Sequence, residues 1–120
     1  MGIDIGKMRD IWISVCLQDD IVPGTGVCAL VEGRQVALFR CRQTNQFYGI
    51  DNYDPVGGAN VLSRGIIGSI EGAPVVASPL YKHQFDLNTG SCLQAPEYQL
   101  TTYLVRTQGA EVQLCMNTLG

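Results

Sequence analysis

The stretch Val75-Val76-Ala77-Ser78-Pro79-Leu80-Tyr81-Lys82-His83-Gln84-Phe85-Asp86-Leu87-Asn88-Thr89-Gly90 joins two short apolar runs through a proline-bearing connection and closes on a polar turn. Residues 75–77 are apolar and mostly β-branched, and in residues 83–87 Phe85 and Leu87 alternate with polar neighbours. Both runs read as strands. Ser78-Pro79-Leu80 reads as a loop, because proline removes a ladder donor and fixes its own φ. Asn88-Thr89-Gly90 supplies residues that accept tight-turn geometry.

The same grammar extends outward in both directions. Trp12-Ile13-Ser14-Val15-Cys16 reads as a first strand, followed by a connection in which Asp19-Asp20 can cap a short helical turn and Pro23-Gly24 marks a break. Residues 26–31 and 34–39 read as two apolar strands joined at Glu32-Gly33, a two-residue hairpin signal. Residues 46–50 are a further strand, and residues 51–73, rich in glycine, read as one long loop in which Val61-Leu62 plug the core. Ser91-Cys92-Leu93 returns as a short strand, and residues 99–106 and 111–114 form a terminal hairpin around Gln108-Gly109. Strands at this spacing, without a 3.6-residue apolar stripe, predict an all-β sandwich of about 8–10 short antiparallel strands with little helix. A chain of 120 residues with 46% hydrophobic content predicts one domain over 1–120, its core at about 12–115.

Composition narrows the function classes. The formal net charge is −3, and the eight basic residues are scattered rather than clustered, so a nucleic-acid-binding face is not expected. No apolar run has the length of a membrane-spanning helix, and residues 1–9 carry charge without an apolar stretch. A cytoplasmic protein without membrane contact is the expectation. Five widely spaced cysteines with no C-x-x-C fit neither a disulfide framework nor a zinc site. They are expected to be reduced and buried in strands.

Three patterns suggest chemistry, and each meets an objection. Gly24-Thr25-Gly26-Val27-Cys28-Ala29 fits G-x-G-x-x-A, but a strand rather than a helix follows, so no pyrophosphate site is expected. Ser78, His83 and Asp86 are the residue types of a nucleophilic triad, without the strand–turn–helix elbow that exposes the nucleophile. Asp51, Asn52 and Asp54 hint at calcium, without the spacing or terminal glutamate of a dedicated loop. No catalytic, cofactor-binding or metal-ligating residue is expected in this chain.

Taken as a set, Tyr48-Gly49-Ile50-Asp51-Asn52-Tyr53-Asp54-Pro55, Gly58-Ala59-Asn60-Val61-Leu62-Ser63-Arg64-Gly65 and Ser78-Pro79-Leu80-Tyr81-Lys82 resemble the small subunits of assimilatory NAD(P)H-dependent nitrite reductase. Those are cluster-free members of the Rieske-like superfamily, and Cys28-Ala29-Leu30-Val31 adds to the likeness, which covers about residues 12–114. The resemblance implies a Rieske-like β-sandwich. In cluster-binding Rieske domains a C-x-H pair and a C-x-x-H pair hold the iron–sulfur cluster. The corresponding positions here are Tyr53 and Pro55, then Ser78 and Tyr81, although the register of the first pair is loose. Independently of register, one histidine in the chain cannot supply the two that a Rieske centre needs.

The resemblance further implies an accessory role in nitrate and nitrite assimilation. A large subunit is the expected partner and carries the FAD, the iron–sulfur cluster and the sirohaem that reduces nitrite to ammonium. The loops at 52–64 and 78–83 are then expected to lie together, presenting Tyr53, Arg64, Tyr81, Lys82 and His83 to that partner. Two other readings stay open: these residues brace a vacated cluster site, or the chain is a free-standing cluster-free interaction or regulatory module.

Overall fold

A computed structural model describes residues 11–116; the charged stretch at 1–9, expected not to be a signal peptide, lies outside them. The strands run β1 (Trp12–Leu17), β2 (Gly26–Val31), β3 (Arg34–Arg40), β4 (Phe47–Asp51), β5 (Tyr53–Asp54), β6 (Ala59–Asn60) and β7 (Ile66–Ile70). They continue with β8 (Ala73–Ala77), β9 (Gln84–Asp86), β10 (Thr102–Tyr103), β11 (Val105–Gln108) and β12 (Glu111–Cys115). Only single 3-10 turns, Gln18–Asp20 and Leu62–Arg64, interrupt them among the described residues. The fold is all-β, as the sequence predicts.

β3 organises the packing. Val36, Ala37, Leu38 and Phe39 are each 0% exposed, so this strand is covered on both faces. Successive side chains on a strand point to opposite sides. Ala37 and Phe39 accordingly join one core with Ile50, Val76, Phe85 and Leu87, whereas Val36 and Leu38 join a second with Ile21, Tyr103 and Leu114. The sheet β10-β4-β3-β2 is therefore the middle layer, between the sheets β1-β12-β11 and β7-β8-β9. Every named strand pair is antiparallel.

The hairpin at Glu32-Gly33 forms as read, with Val31 paired to Arg34 and both turn residues at positive φ (50° and 82°). Three differences concern strand count, the first being that residues 91–93, expected as a short strand, make only the isolated bridges Ser91–Gln99 and Phe85–Cys92. The glycine-rich segment expected as one loop contains β5, β6 and β7, because a Gly-Ser interruption hides the alternation of Ile66-Ile67-Gly68-Ser69-Ile70. The single strand expected at 99–106 is split: β10 pairs with β4 in the middle sheet, and β11 pairs with β12 in an outer one. Twelve strands result among the described residues, above the expected 8–10.

The cysteines also differ from expectation. Cys92 and Cys115 are buried, Cys16 is half-buried and Cys28 is exposed on the edge strand β2; Cys41 sits half-buried in a turn rather than a strand. Leu62 plugs the first core completely, whereas Val61 is only half-buried.

The turn after β9 closes on Gly90 at φ +81°, and a Cβ there would collide with the carbonyl oxygen of Leu100. Gly90→Ala is therefore expected to lower unfolding stability by about 2–4 kcal/mol, measured by denaturant titration at neutral pH.

Candidate functional site

Two hairpin ends meet at one pole. β5 and β6 pair Tyr53 with Asn60 and Asp54 with Ala59, so residues 54–59 form a small hairpin tip. β8 and β9 pair Ala77 with Gln84, and the ladder continues where the Ser78 N–H donates to the His83 carbonyl at 2.8 Å. Residues 78–83 form the second tip.

A buried hydrogen bond joins them. Asp54 and Ser78 are 0% and 1% exposed, and the Ser78 hydroxyl donates to Asp54 Oδ2 at 2.5 Å. Asp54 Oδ1 accepts the N–H groups of Val56 (2.9 Å) and Gly57 (3.1 Å), and Ser78 Oγ accepts the N–H of Leu80 at 3.2 Å. Each buried polar group is thus satisfied, as it must be to avoid a desolvation penalty. Packing reinforces the join at Gly57, where a Cβ would stand 2.5 Å from Leu80 Cδ1 and 2.9 Å from Asp54 Oδ2. Only glycine lets the tips approach this closely.

Asn52 anchors the first tip to the central sheet. It is 2% exposed; its amide donates to Gln35 Oε1 (3.0 Å) and contacts Cys28 Sγ (3.5 Å), while Oδ1 accepts the N–H of Ser63 at 2.7 Å. Asp51 turns elsewhere, accepting the Tyr103 hydroxyl at 2.9 Å and the Thr101 N–H at 3.2 Å. The three residues that hint at calcium are therefore spent separately on internal hydrogen bonds. The triad pattern dissolves likewise: Ser78 serves Asp54, Asp86 Oδ1 accepts the N–H groups of Asn88 and Thr89, and His83 Nδ1 is buried without a partner among the described residues. Gly24 and Gly26 lead into β2 rather than a helix, which leaves no helix N-terminus for a pyrophosphate.

One five-residue turn recurs four times. Its fifth N–H donates to the first carbonyl in Cys41–Asn45 (2.9 Å), Asp54–Gly58 (2.7 Å), Ser78–Lys82 (3.0 Å) and Asp86–Gly90 (2.7 Å). The closing residue has positive φ each time: Asn45 61°, Gly58 77°, Lys82 61° and Gly90 81°. Glycine and asparagine tolerate that region. Lysine does not, and its placement there costs roughly 1 kcal/mol.

In the first of these turns hydrogen bonds to Cys41 sulfur from the Thr44 side chain, then the Thr44 and Gln43 backbone, hold the thiol below its ordinary value. Burial pushes Cys16 and Cys28 up instead, with the Asp20 charge adding at Cys16.

The candidate ligand positions can now be tested against an iron–sulfur cluster. Pro55 offers no donor atom, Ser78 Oγ is committed to Asp54, and Tyr53 and Tyr81 are phenols exposed to 48% and 68%. Iron–sulfur clusters take soft thiolates, with imidazole in Rieske centres, so this donor set does not fit. The space between the tips is instead bridged by the Asp54–Ser78 pair, in which Asp54 lies between the two degenerate positions of the first loop. Outside the bridge Leu80, Tyr81, Lys82 and Tyr53 are exposed, Arg64 is exposed after the Leu62–Arg64 turn, and His83 is half-buried beneath them. Among the described residues no helix is long and apolar enough to cross a membrane.

Comparison with known proteins agrees with this geometry. Residues 11–115 match the Rieske-like [2Fe-2S] domain family. The nitrite reductase (NADH) small subunit of Salmonella typhimurium is 46% identical over 103 residues, spanning 86% of this chain and 95% of that protein. A putative NADH-dependent nitrite reductase small subunit from Mycobacterium tuberculosis superimposes with a TM-score of 0.86 at 37% identity, over 92% of this chain and 99% of that one. A third relative has different proportions: 101 residues are 38% identical to part of the NAD(P)H nitrite reductase large subunit of Klebsiella oxytoca, 84% of this chain but 10% of that protein.

Two outcomes test the site. A double-mutant cycle of Asp54→Asn and Ser78→Ala, read by denaturant unfolding, is expected to give a coupling of about 1–3 kcal/mol, since either change alone leaves a buried group short of its partner. Iodoacetamide alkylation followed by mass spectrometry across pH is expected to place the Cys41 profile below an ordinary thiol and those of Cys16 and Cys28 above it. With residues 11–115 matching that family model and 46% identity extending over nearly the whole Salmonella typhimurium protein, the chain belongs to the Rieske-like domain family and, within it, to the nitrite reductase small subunits.

Proposed function

We propose that this chain is the accessory subunit of a cytoplasmic NAD(P)H-dependent nitrite reductase and that it docks on the large subunit through the two joined tips. The observation that carries the reading is the 46% identity spanning 95% of the Salmonella typhimurium small subunit. The Klebsiella oxytoca relative supports the partnership, because there a similar segment lies within the large-subunit polypeptide itself.

In this reading the partner holds the FAD, iron–sulfur cluster and sirohaem, and nitrite becomes ammonium there. The present chain contributes surface. Tyr53, Tyr81, Lys82 and Arg64 are the contact residues, with Leu80 between them and His83 supporting the second tip from below. Support comes from their exposure and type: Tyr53 is 48%, Leu80 43% and Tyr81 68% exposed. Tyrosine and arginine are enriched among the residues that dominate binding energy. Rigid backing by Asp54 and Ser78 lowers the ordering cost of association.

Reconstitution tests this reading directly. Mixing the purified chain with a large subunit of the same system is expected to give a stable complex with NAD(P)H-dependent nitrite reduction, while omitting the chain reduces activity at least several-fold. Full activity of the large subunit alone, or the absence of any complex in size-exclusion chromatography, excludes the essential accessory role.

A further inference from the structure

The four-fold use of one turn isolates Lys82. Identical closing hydrogen bonds are made by Asn45, Gly58 and Gly90 in the other three turns, so the turn itself has no requirement for a lysine. Glu32 and Glu71 also adopt positive φ, but each precedes a glycine in a two-residue hairpin between paired strands, a setting that enforces such geometry. Lys82 has no such excuse. Its backbone N–H serves Ser78, and its side chain is exposed.

The charge around it is equally uneven. Residues 53–60 and 78–83 contain two formal charges, Asp54 and Lys82. Asp54 is fully buried and spent on Ser78, Val56 and Gly57. The two tips themselves therefore offer one cation, Lys82, beside exposed Leu80, Tyr81 and Tyr53, with Arg64 on the neighbouring 3-10 turn, on a chain whose net charge is −3. A residue held in an unfavourable backbone region where glycine would close the same turn is one whose side chain is needed outside the fold.

We propose that Lys82 is the charged anchor of the docking surface and that the large subunit receives it with a carboxylate beside an apolar recess for Leu80 and Tyr81. The inference rests on the docking reading above and specifies the chemistry of the partner's side. The strained turn aims the ammonium outward, the buried Asp54 is unable to neutralise it from within, and the carboxylate on the partner supplies the missing countercharge. The rim position of such a pair makes association sensitive to ionic strength.

Binding of the full chain to the purified large subunit, measured by titration calorimetry at low and high salt, separates the possibilities. Lys82→Gly relieves the backbone, so its unfolding midpoint is expected to equal or exceed that of the parent, yet its affinity at low salt falls about tenfold and its salt dependence is reduced, Arg64 retaining the remainder. Lys82→Arg is expected to retain the salt dependence, and Lys82→Glu to bind more weakly than Lys82→Gly. Parent-like affinity and salt dependence in Lys82→Gly, or a lower unfolding midpoint in that variant, overturns the inference. Tyr81→Asp tells its failure from that of the docking reading: if it abolishes the complex while Lys82→Gly binds normally, the tips dock without the proposed anchor. If Tyr81→Asp and Lys82→Glu both bind like the parent, the docking reading fails with it.

Discussion

The bond between Asp54 and Ser78 is the constraint around which the rest of this pole is arranged. A carboxyl group with no solvent exposure must find donors inside the protein, and here it finds three: one hydroxyl from the opposite loop and two backbone N–H groups from its own. The backbone donors fix the shape of the first tip, and the hydroxyl fixes its distance from the second. Ser78 in turn accepts the Leu80 N–H, so the same oxygen shapes the second tip as well. Gly57 follows from that distance, since the approach leaves no room for a Cβ against Leu80. A metal cluster held between two loops performs the same mechanical task with four coordinate bonds; here short neutral and charged hydrogen bonds perform it with ordinary side chains.

This substitution has a structural logic in the turns. Cys41, Asp54, Ser78 and Asp86 each begin a five-residue turn, and the side chains of Asp54, Ser78 and Asp86 accept N–H groups within their own turn. The Cys41 sulfur is in the same situation, which lowers its pKa. The motif is local and inexpensive, so it recurs at the surface without special support. What distinguishes the pole is that two copies are placed face to face by the β5–β6 and β8–β9 hairpins, with Leu62 filling the core beneath. The first side chains of both turns then serve two purposes, capping their own loop and crossing to the other, Asp54 with a separate oxygen for each and Ser78 with one.

Much of this was legible in the residues, and the illegible part has definite causes. The Val-Glu-Gly-Arg hairpin and the buried run at 36–39 stand out because turn chemistry and a continuous apolar run coincide there. β7 was hidden because Gly68 and Ser69 interrupt its apolar residues, and the division between β10 and β11 was hidden because a change of sheet leaves no trace in side-chain alternation. The mismatch with a Rieske donor set was legible from a single histidine in the chain. The Asp54–Ser78 bridge was not, since it spans 24 residues and Asp54 stood between the two positions under scrutiny. A signal existed nonetheless. Asp-Pro-Val-Gly-Gly, Asp-Leu-Asn-Thr-Gly and Cys-Arg-Gln-Thr-Asn share a capping side chain at the start and a residue tolerant of positive φ at the end.

Bracing and docking, which compete as explanations of the vacated cluster site, act at different depths. Asp54, Ser78 and Asn52 lie inside, hydrogen-bonded within the fold and shielded from solvent, so they do not present themselves to another molecule. Tyr53, Leu80, Tyr81 and Lys82 lie outside and contribute little to the cores, so the fold gives no account of their size or charge. A binding surface made from loops ordinarily loses free energy when those loops are ordered by the partner. Loops already fixed by a buried hydrogen bond avoid that loss, and a loop fixed with Lys82 in a left-handed conformation also fixes the direction of its charge. In the docking reading proposed above, the brace is what would let so small a patch bind, and the strain at Lys82 belongs with the rigidity beneath it.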